Sequence, residues 1–258
     1  MKAIILAAGK GVRMGKYTRN LPKGMLEFDG KTLLQWQMES LRAGGVNRIV
    51  VVTGYQSEKI PYSDVTYYHN PDFASTNMVE SLMCARSELN EDILVSYADI
   101  IYTPALVRQL IASKDPITVA VDSAWRAYWE MRYGSCETDL ETLTVNDGYI
   151  TDLGIETESS EGIDYRYIGL VGFSAAIWSD VLDLYDTKRS SGDAWRQSGK
   201  DLRNGYMTDL LHELIQRGVP VAPAVSQRQW LEFDTETDYE VTTAKLASGD
   251  LGDYLDPI

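Results

Sequence analysis

Leu6-Ala7-Ala8-Gly9-Lys10-Gly11-Val12-Arg13-Met14 follows directly on the apolar run Ala3-Ile4-Ile5. An apolar strand running into small residues and glycine brings backbone N–H groups close enough to cradle a phosphate. Two common phosphate motifs are excluded by single positions. A dinucleotide fingerprint needs glycine at 14, where Met14 stands, and a P-loop ending at Gly15 needs glycine at 10 and Ser or Thr at 17, occupied by Lys10 and Tyr17. Residues 1–26 carry six cations (Lys2, Lys10, Arg13, Lys16, Arg19, Lys23) and no acid, so against a chain total of −14 the remainder stands at −20. One compact basic segment in an acidic protein suits one anionic ligand held locally, or a solvated basic face. The overall charge argues against nucleic acid and anionic membrane as partners.

Outward from that loop, strands and helices alternate. A helix from about Thr32 to Ala43 stops at Gly44-Gly45, and Ile49–Val52 reads as a buried strand without alternation, as central parallel strands do. An edge-like strand at Val65–Tyr68 leads to a helix from Met78 to Ser87, capped by Asn77 or Thr76, then to a strand at Ile93–Val95 that ends at Asp99. Pro104 suits the first turn of the next helix. This rhythm predicts an α/β fold, a doubly wound and mostly parallel Rossmann-like sheet whose ligands bind beyond the carboxyl ends of its strands.

From residue 117 the pattern turns β-rich, with strands at Ile117–Val121, Leu143–Val145 and Tyr149–Leu153. Asn146-Asp147-Gly148 signals a hairpin between the last two. A small β-rich subdomain laid over the sheet edge is expected, within a single domain of 1–258. Residues 186–205 read as a mobile loop, Met207–Arg217 as an amphipathic helix, and Trp230–Phe233 as a short strand before Asp234 and a last helix. The two cysteines, Cys84 and Cys136, have no metal-ligand spacing, which points to a reducing compartment and away from structural zinc. The N-terminal apolar run is too short to span a bilayer and no cleavage site follows it, so a cytoplasmic protein is expected.

The run Leu6 through Met14, followed by Pro22-Lys23, resembles the nucleotidyltransferases that make sugar nucleotides and CDP-alcohols. The resemblance implies that Leu6, Ala7, Ala8, Gly9, Lys10 and Gly11 hold base and phosphates, that Arg13 contacts the β- and γ-phosphates, and that Lys23 contacts the reacting α-phosphate. A glycine loop with two cations suits a triphosphate whose charge moves during displacement. Asp99 at a buried strand end and Asp234 before the last helix are the expected Mg²⁺ ligands, with Glu232 in reserve, since magnesium takes a few carboxylates plus phosphate oxygens. Each aspartate also has a bland reading, most plainly Asp234 as a helix cap.

Asn77-Met78-Val79-Glu80-Ser81-Leu82 resembles the Asn-x-x-x-Ser-Leu pattern of phosphocholine and phosphonate cytidylyltransferases, which places Asn77 and Ser81 near the nucleotide. It implies CTP and a small phosphate or phosphonate acceptor as substrates. With the turn to a β-rich pattern at residue 117, the single domain reads as a nucleotide-binding half, 1–116, and an acceptor-binding half, 117–258. In that second half Trp129, Arg132, Tyr133 and Asp209 are the expected acceptor residues, with Trp125 close by. Aromatic faces attract an ammonium and Arg132 suits an anion, although tryptophans equally fill cores. The chain marks no interface, but homodimers are common for such folds. Two other functions remain open: a sugar 1-phosphate nucleotidyltransferase using UTP or dTTP, and a nucleotide-binding regulator without turnover.

Overall fold

All six residues of β1 (Lys2–Ala7) are buried, because they form the middle of a sheet covered on both faces. The computed structural model describes residues 1–251. After β1 come the glycine loop and two short strands, β2 (Glu27–Phe28) and β3 (Lys31–Thr32), then α1 (Leu33–Gly44), β4 (Arg48–Thr53), β5 (Thr66–His69), α2 (Met78–Cys84), β6 (Ile93–Tyr97), β7 (Ile100–Tyr102) and α3 (Pro104–Ala112). The chain continues through β8 (Ile117–Asp122), α4 (Trp125–Tyr133), β9 (Leu140–Asn146), β10 (Tyr149–Thr157), β11 (Arg166–Phe173), α5 (Trp178–Ser191), α6 (Met207–Gln216), β12 (Val221–Ser226), β13 (Trp230–Glu232) and α7 (Glu236–Ser248).

The seven-stranded sheet has the order β12-β8-β11-β6-β1-β4-β5. β1 pairs in parallel with β4 and β6, β5 with β4, and β12 with β8, whereas β11 runs antiparallel to both of its neighbours. Side chains alternate across it. Ala3, Ile5 and Val51 join the core beneath α1 and α3, while Ile4, Leu6, Val50 and Val52 join the core beneath α2, α5 and α6. From β1 the chain builds outward through β4 to β5, then crosses back to β6 on the other side of β1. The strand order reverses at that point, so the crevice beyond the carboxyl ends of β1 and β6 is where a ligand fits.

Local signals act where the sequence puts them. Thr32 accepts a hydrogen bond from Gln35 N–H at 3.0 Å to start α1, and Gly45 at φ 110° closes it. Asp147 and Gly148, both at positive φ, turn the β9–β10 hairpin with Tyr149 opposite Asn146. Two expectations change. α2 stops at Cys84, short of Ser87, and a single 3₁₀ turn at Arg86–Glu88 takes over, where buried Lys2 holds both the Glu88 carbonyl, at 2.8 Å, and its carboxylate, at 2.6 Å.

The expected mobile loop at 186–205 is ordered instead. Its first part completes α5, and Lys188, buried, pairs with Glu213 of α6 at 2.5 Å. Trp195 is fully buried, and Ser198 binds the Asp209 carboxylate through both its N–H and its hydroxyl. Among the described residues no helix is long and apolar enough to cross a membrane.

Candidate active site

Beyond Ala7 the chain cannot continue as a strand, because Gly11 takes the left-handed conformation at φ 62° and Val12–Met14 form one 3₁₀ turn. Thr18 donates its hydroxyl to the Gly11 carbonyl at 2.7 Å and folds the loop back on itself. A Cβ at Gly11 would lie 3.2 Å from Cβ of Lys23, so this glycine also lets the lysine approach the loop. Gly11→Ala is expected to cost about 1–2 kcal/mol of stability, the usual penalty for a left-handed L-residue, and to raise KM for the nucleotide. Thermal melts and steady-state kinetics check both, and a variant matching the wild type in each would show that the loop relaxes freely. The loop's other side rests on Gly54, where an added Cβ would meet the Ala8 carbonyl and Phe73 at 2.6 Å.

Pro22 delivers Lys23 into a 3₁₀ turn, and the side chain runs inward between two carboxylates. Its ammonium lies 2.9 Å from Asp99 and 2.7 Å from Asp234. Arg13, mostly exposed, reaches the other Asp234 oxygen at 2.6 Å. Burial works against charge on Lys23, but Asp99 and Asp234 outweigh it and hold its pKa above the ordinary value. The two aspartates meet because β13 pairs antiparallel with β7, immediately after Asp99, and because Phe233 N–H donates to the Asp99 carbonyl at 2.9 Å.

These groups line a cleft of about 290 Å³. Leu6, Ala7, Ala8, Gly9, Gly11, Arg13, Lys23, Asn77, Ser81, Asp99 and Asp234 all face it, together with Phe73, Thr76, Met78 and Tyr97. Lys10 stands outside that lining, with its ammonium 5.7 Å from the centre of the Tyr55 ring. Asn77 caps α2 through Met78 N–H, and Ser81 accepts from Asn70 at 3.0 Å. Of the residues that sequence reasoning missed, Tyr97 had a signal, since it lies two before Asp99 and alternation puts both toward one side. Phe73 had none, because it arrives from a turn after β5.

Magnesium fits the donor set. One oxygen of Asp99, Oδ1, is buried with no hydrogen-bond partner, and its companion and both oxygens of Asp234 are held only by cations. No cluster of three or more acidic, histidine or cysteine ligands exists among the described residues. Two carboxylates facing a phosphate site suit Mg²⁺, which completes its octahedron with water and phosphate oxygens.

The expected acceptor residues do not face this cleft. Trp125 and Trp129 are essentially fully buried on α4 and pack edge to face at 5.6 Å. Arg132 is buried too, bound to Asp238 of α7 and to Glu232, while Tyr133 packs its ring 4.8 Å from that guanidinium. Asp209 is consumed by the start of α6, where its carboxylate accepts from Tyr206 N–H and Ser198. Packing and capping therefore account for these five. Glu232, the reserve ligand, is engaged by Arg132, and desolvation together with Asp99 and Asp234 pushes its carboxyl up to about 7 against that arginine's pull.

Known proteins are similar to this chain along most of its length. Residues 3–188 match the MobA-like NTP transferase domain. The CTP:phosphoglutamine cytidylyltransferase of Campylobacter jejuni is 33% identical over 256 residues, covering 95% of this chain and 100% of that protein. The UTP–glucose-1-phosphate uridylyltransferase AglF of Haloferax volcanii is 29% identical over 81% of this chain and 93% of its own. Among solved structures, the CTP:phosphocholine cytidylyltransferase of Streptococcus pneumoniae superposes with a TM-score of 0.75 at 22% identity, over 95% of this chain and 98% of its own, a likeness of fold. Matched over residues 3–188 and along nearly its whole length, the chain is a nucleotidyltransferase and belongs to the MobA-like NTP transferase family.

Proposed function

We propose that the chain is a magnesium-dependent cytidylyltransferase that moves CMP from CTP onto a small phosphate- or phosphonate-bearing acceptor and releases pyrophosphate. One observation carries the mechanism: Lys23 sits buried between Asp99 and Asp234 at the mouth of the β1–β6 crevice, 2.9 and 2.7 Å from their oxygens. A cation in that place meets the α-phosphate of a nucleotide whose phosphates rest on the glycine loop. The choice of cytosine and of a small acceptor is supported by the full-length likeness to a CTP:phosphoglutamine cytidylyltransferase and by the Asn77–Leu82 pattern.

The acceptor is already ionised at neutral pH, so its oxygen attacks the α-phosphorus directly as the bond to pyrophosphate breaks, and no general base is needed. The loop amides from Ala8 to Gly11 hold the triphosphate in line. Lys23 stabilises charge gathering on the α-phosphate, and Arg13 follows the leaving pyrophosphate from the exposed side. Asp99 and Asp234 would hold magnesium, which supplies Lewis-acid neutralisation of the phosphate charge. When nucleotide enters, Lys23 would exchange its carboxylate partners for phosphate without leaving its place.

The test is pyrophosphate release with magnesium from CTP, UTP, ATP, GTP and dTTP, each against phosphoglutamine, phosphocholine, 2-aminoethylphosphonate, 2-hydroxyethylphosphonate and glucose 1-phosphate. Release with CTP and one of the small acceptors is expected. Release only from UTP or dTTP with glucose 1-phosphate would move the protein to the sugar-nucleotide branch. Silence across the panel alongside tight CTP binding would make it a nucleotide-binding regulator.

A further inference from the structure

Arg132 is buried in the half of the chain farthest in sequence from the phosphate loop, yet its contacts converge on the turn that carries Asp234. Its Nε and one terminal nitrogen donate to the two Asp238 oxygens at 3.1 and 3.0 Å, with neither side chain exposed. Its other terminal nitrogen binds Glu232. The rings of Tyr128, Trp129 and Tyr133 surround the guanidinium at 4.8–5.3 Å. Asp238 in turn accepts the backbone N–H of Asp234 at 3.1 Å and of Thr235 at 2.8 Å. One guanidinium thus grips the residue two before Asp234 and the residue four after it. Tyr128 adds a third hold, since its hydroxyl accepts Glu232 N–H at 2.6 Å.

Capping alone does not call for the arginine. Thr235 and Asp238 already form a complete capping box for α7, which a solvated aspartate would serve as well. Burying an arginine with two carboxylates carries a desolvation cost that an apolar trio of the same volume avoids. What the planar, bidentate fork adds is a fixed orientation of the Asp238 carboxylate, and through it a fixed position for the Asp234 backbone. The same first turns of α7 also fasten the phosphate loop: Glu236 accepts Lys16 N–H at 2.9 Å, and Glu240 accepts the Lys16 ammonium at 2.7 Å and the Tyr17 hydroxyl at 3.0 Å.

We propose that Arg132 is a positioning residue for the reaction, which sets the place of Asp234 through Asp238 and thereby fixes the span between the metal carboxylates and the phosphate loop. This rests on the reading of Asp99 and Asp234 as magnesium ligands. Groups that orient a metal ligand from behind commonly change metal affinity ten- to a hundredfold when replaced.

The experiment uses Arg132→Lys, Asp238→Asn and, as a destabilised control, Trp178→Phe at the opposite end of the sheet, where the indole donates to the Glu91 carbonyl. CTP binding is followed calorimetrically against magnesium concentration without acceptor, and kcat and KM are measured alongside circular dichroism and thermal melts. The expected result is a tenfold or larger rise in the magnesium concentration for half-effect in both Arg132→Lys and Asp238→Asn. kcat should fall and the acceptor KM stay within about twofold, and Trp178→Phe should melt lower yet keep the wild-type magnesium requirement. Folded variants that only melt lower, with the magnesium requirement unmoved, would overturn the proposal. Asp238→Asn is isosteric and carries the decision if Arg132→Lys does not fold. A wild type whose CTP binding ignores magnesium would instead overturn the metal reading beneath it, a failure visible before any variant is made.

Discussion

Lys23→Ala is expected to lower kcat by about three orders of magnitude, in line with removal of a positioned charge from a transition state, and to lower the melting temperature in a way that magnesium repairs. From sequence this lysine reads as a phosphate ligand whose loss leaves stability alone. In the structure it is the counter-charge of two carboxylates, both largely shielded from water. Breaking a buried pair costs roughly 3–5 kcal/mol when nothing compensates. Here Arg13 still pairs with Asp234 and Asp99 is partly exposed, so a loss nearer 1–3 kcal/mol follows, or very roughly 3–10 °C for a chain of this size.

The pH dependence has a definite sign. The folded pKa of Lys23 is raised above 10.5, so its stabilisation is complete below that value and disappears only as pH rises through the higher folded value. The melting difference should therefore be flat across neutral pH. Melts in EDTA and in millimolar magnesium, beside single-turnover kinetics, decide it. A variant as stable as the wild type in EDTA would remove the counter-charge role, and activity within tenfold would remove the catalytic one.

Asp99→Asn should leave stability nearly alone and change binding instead. The amide keeps the shape, and Lys23 keeps Asp234 as its partner, so stability should move by less than about 1 kcal/mol. On the proposal that Asp99 holds magnesium, its loss removes several kcal/mol of transition-state stabilisation, on the order of a thousandfold in kcat. Without metal, however, Asp99 only repels a triphosphate, so the variant should bind CTP more tightly than the wild type in EDTA and less tightly in magnesium. Calorimetry in the two buffers gives that crossover. The same order of affinity in both, or kcat within tenfold of wild type, would take Asp99 out of the metal site.

What the sequence made legible was local. The Ala3–Leu6 run, the glycine loop, Asp99 at a strand end and Asp234 before a capped helix each declare themselves within a few residues, and the cleft unites them. The segment Trp125–Tyr133 read equally as an acceptor pocket or as a core, because aromatic composition is the same in both, and it lies outside the cleft. Its buried positions Trp125, Tyr128, Trp129 and Arg132 do follow helical spacing. The arginine broke the apolar pattern, and its partner Asp238 lies 106 residues away, where no window reaches. The polar stretch after Asp186 failed for a related reason, since Lys188 with Glu213 and Ser198 with Asp209 order it through pairings that only the fold reveals.

The β7–β13 ladder has a consequence in time as well as in space. Lys23 and Asp234 stand 211 residues apart in the chain, and the second carboxylate joins the site only when β13 docks beside β7. At a synthesis rate of about 5–20 residues per second, the ribosome takes roughly ten to forty seconds to pass from one to the other. Through that interval a growing chain has its glycine loop, Lys23 and, before long, Asp99, but only one of the two carboxylates that flank the lysine. Competence for turnover therefore waits until Asp234 has been made and β13 has docked, and until then the loop's cations lack the carboxylate that pairs with both of them.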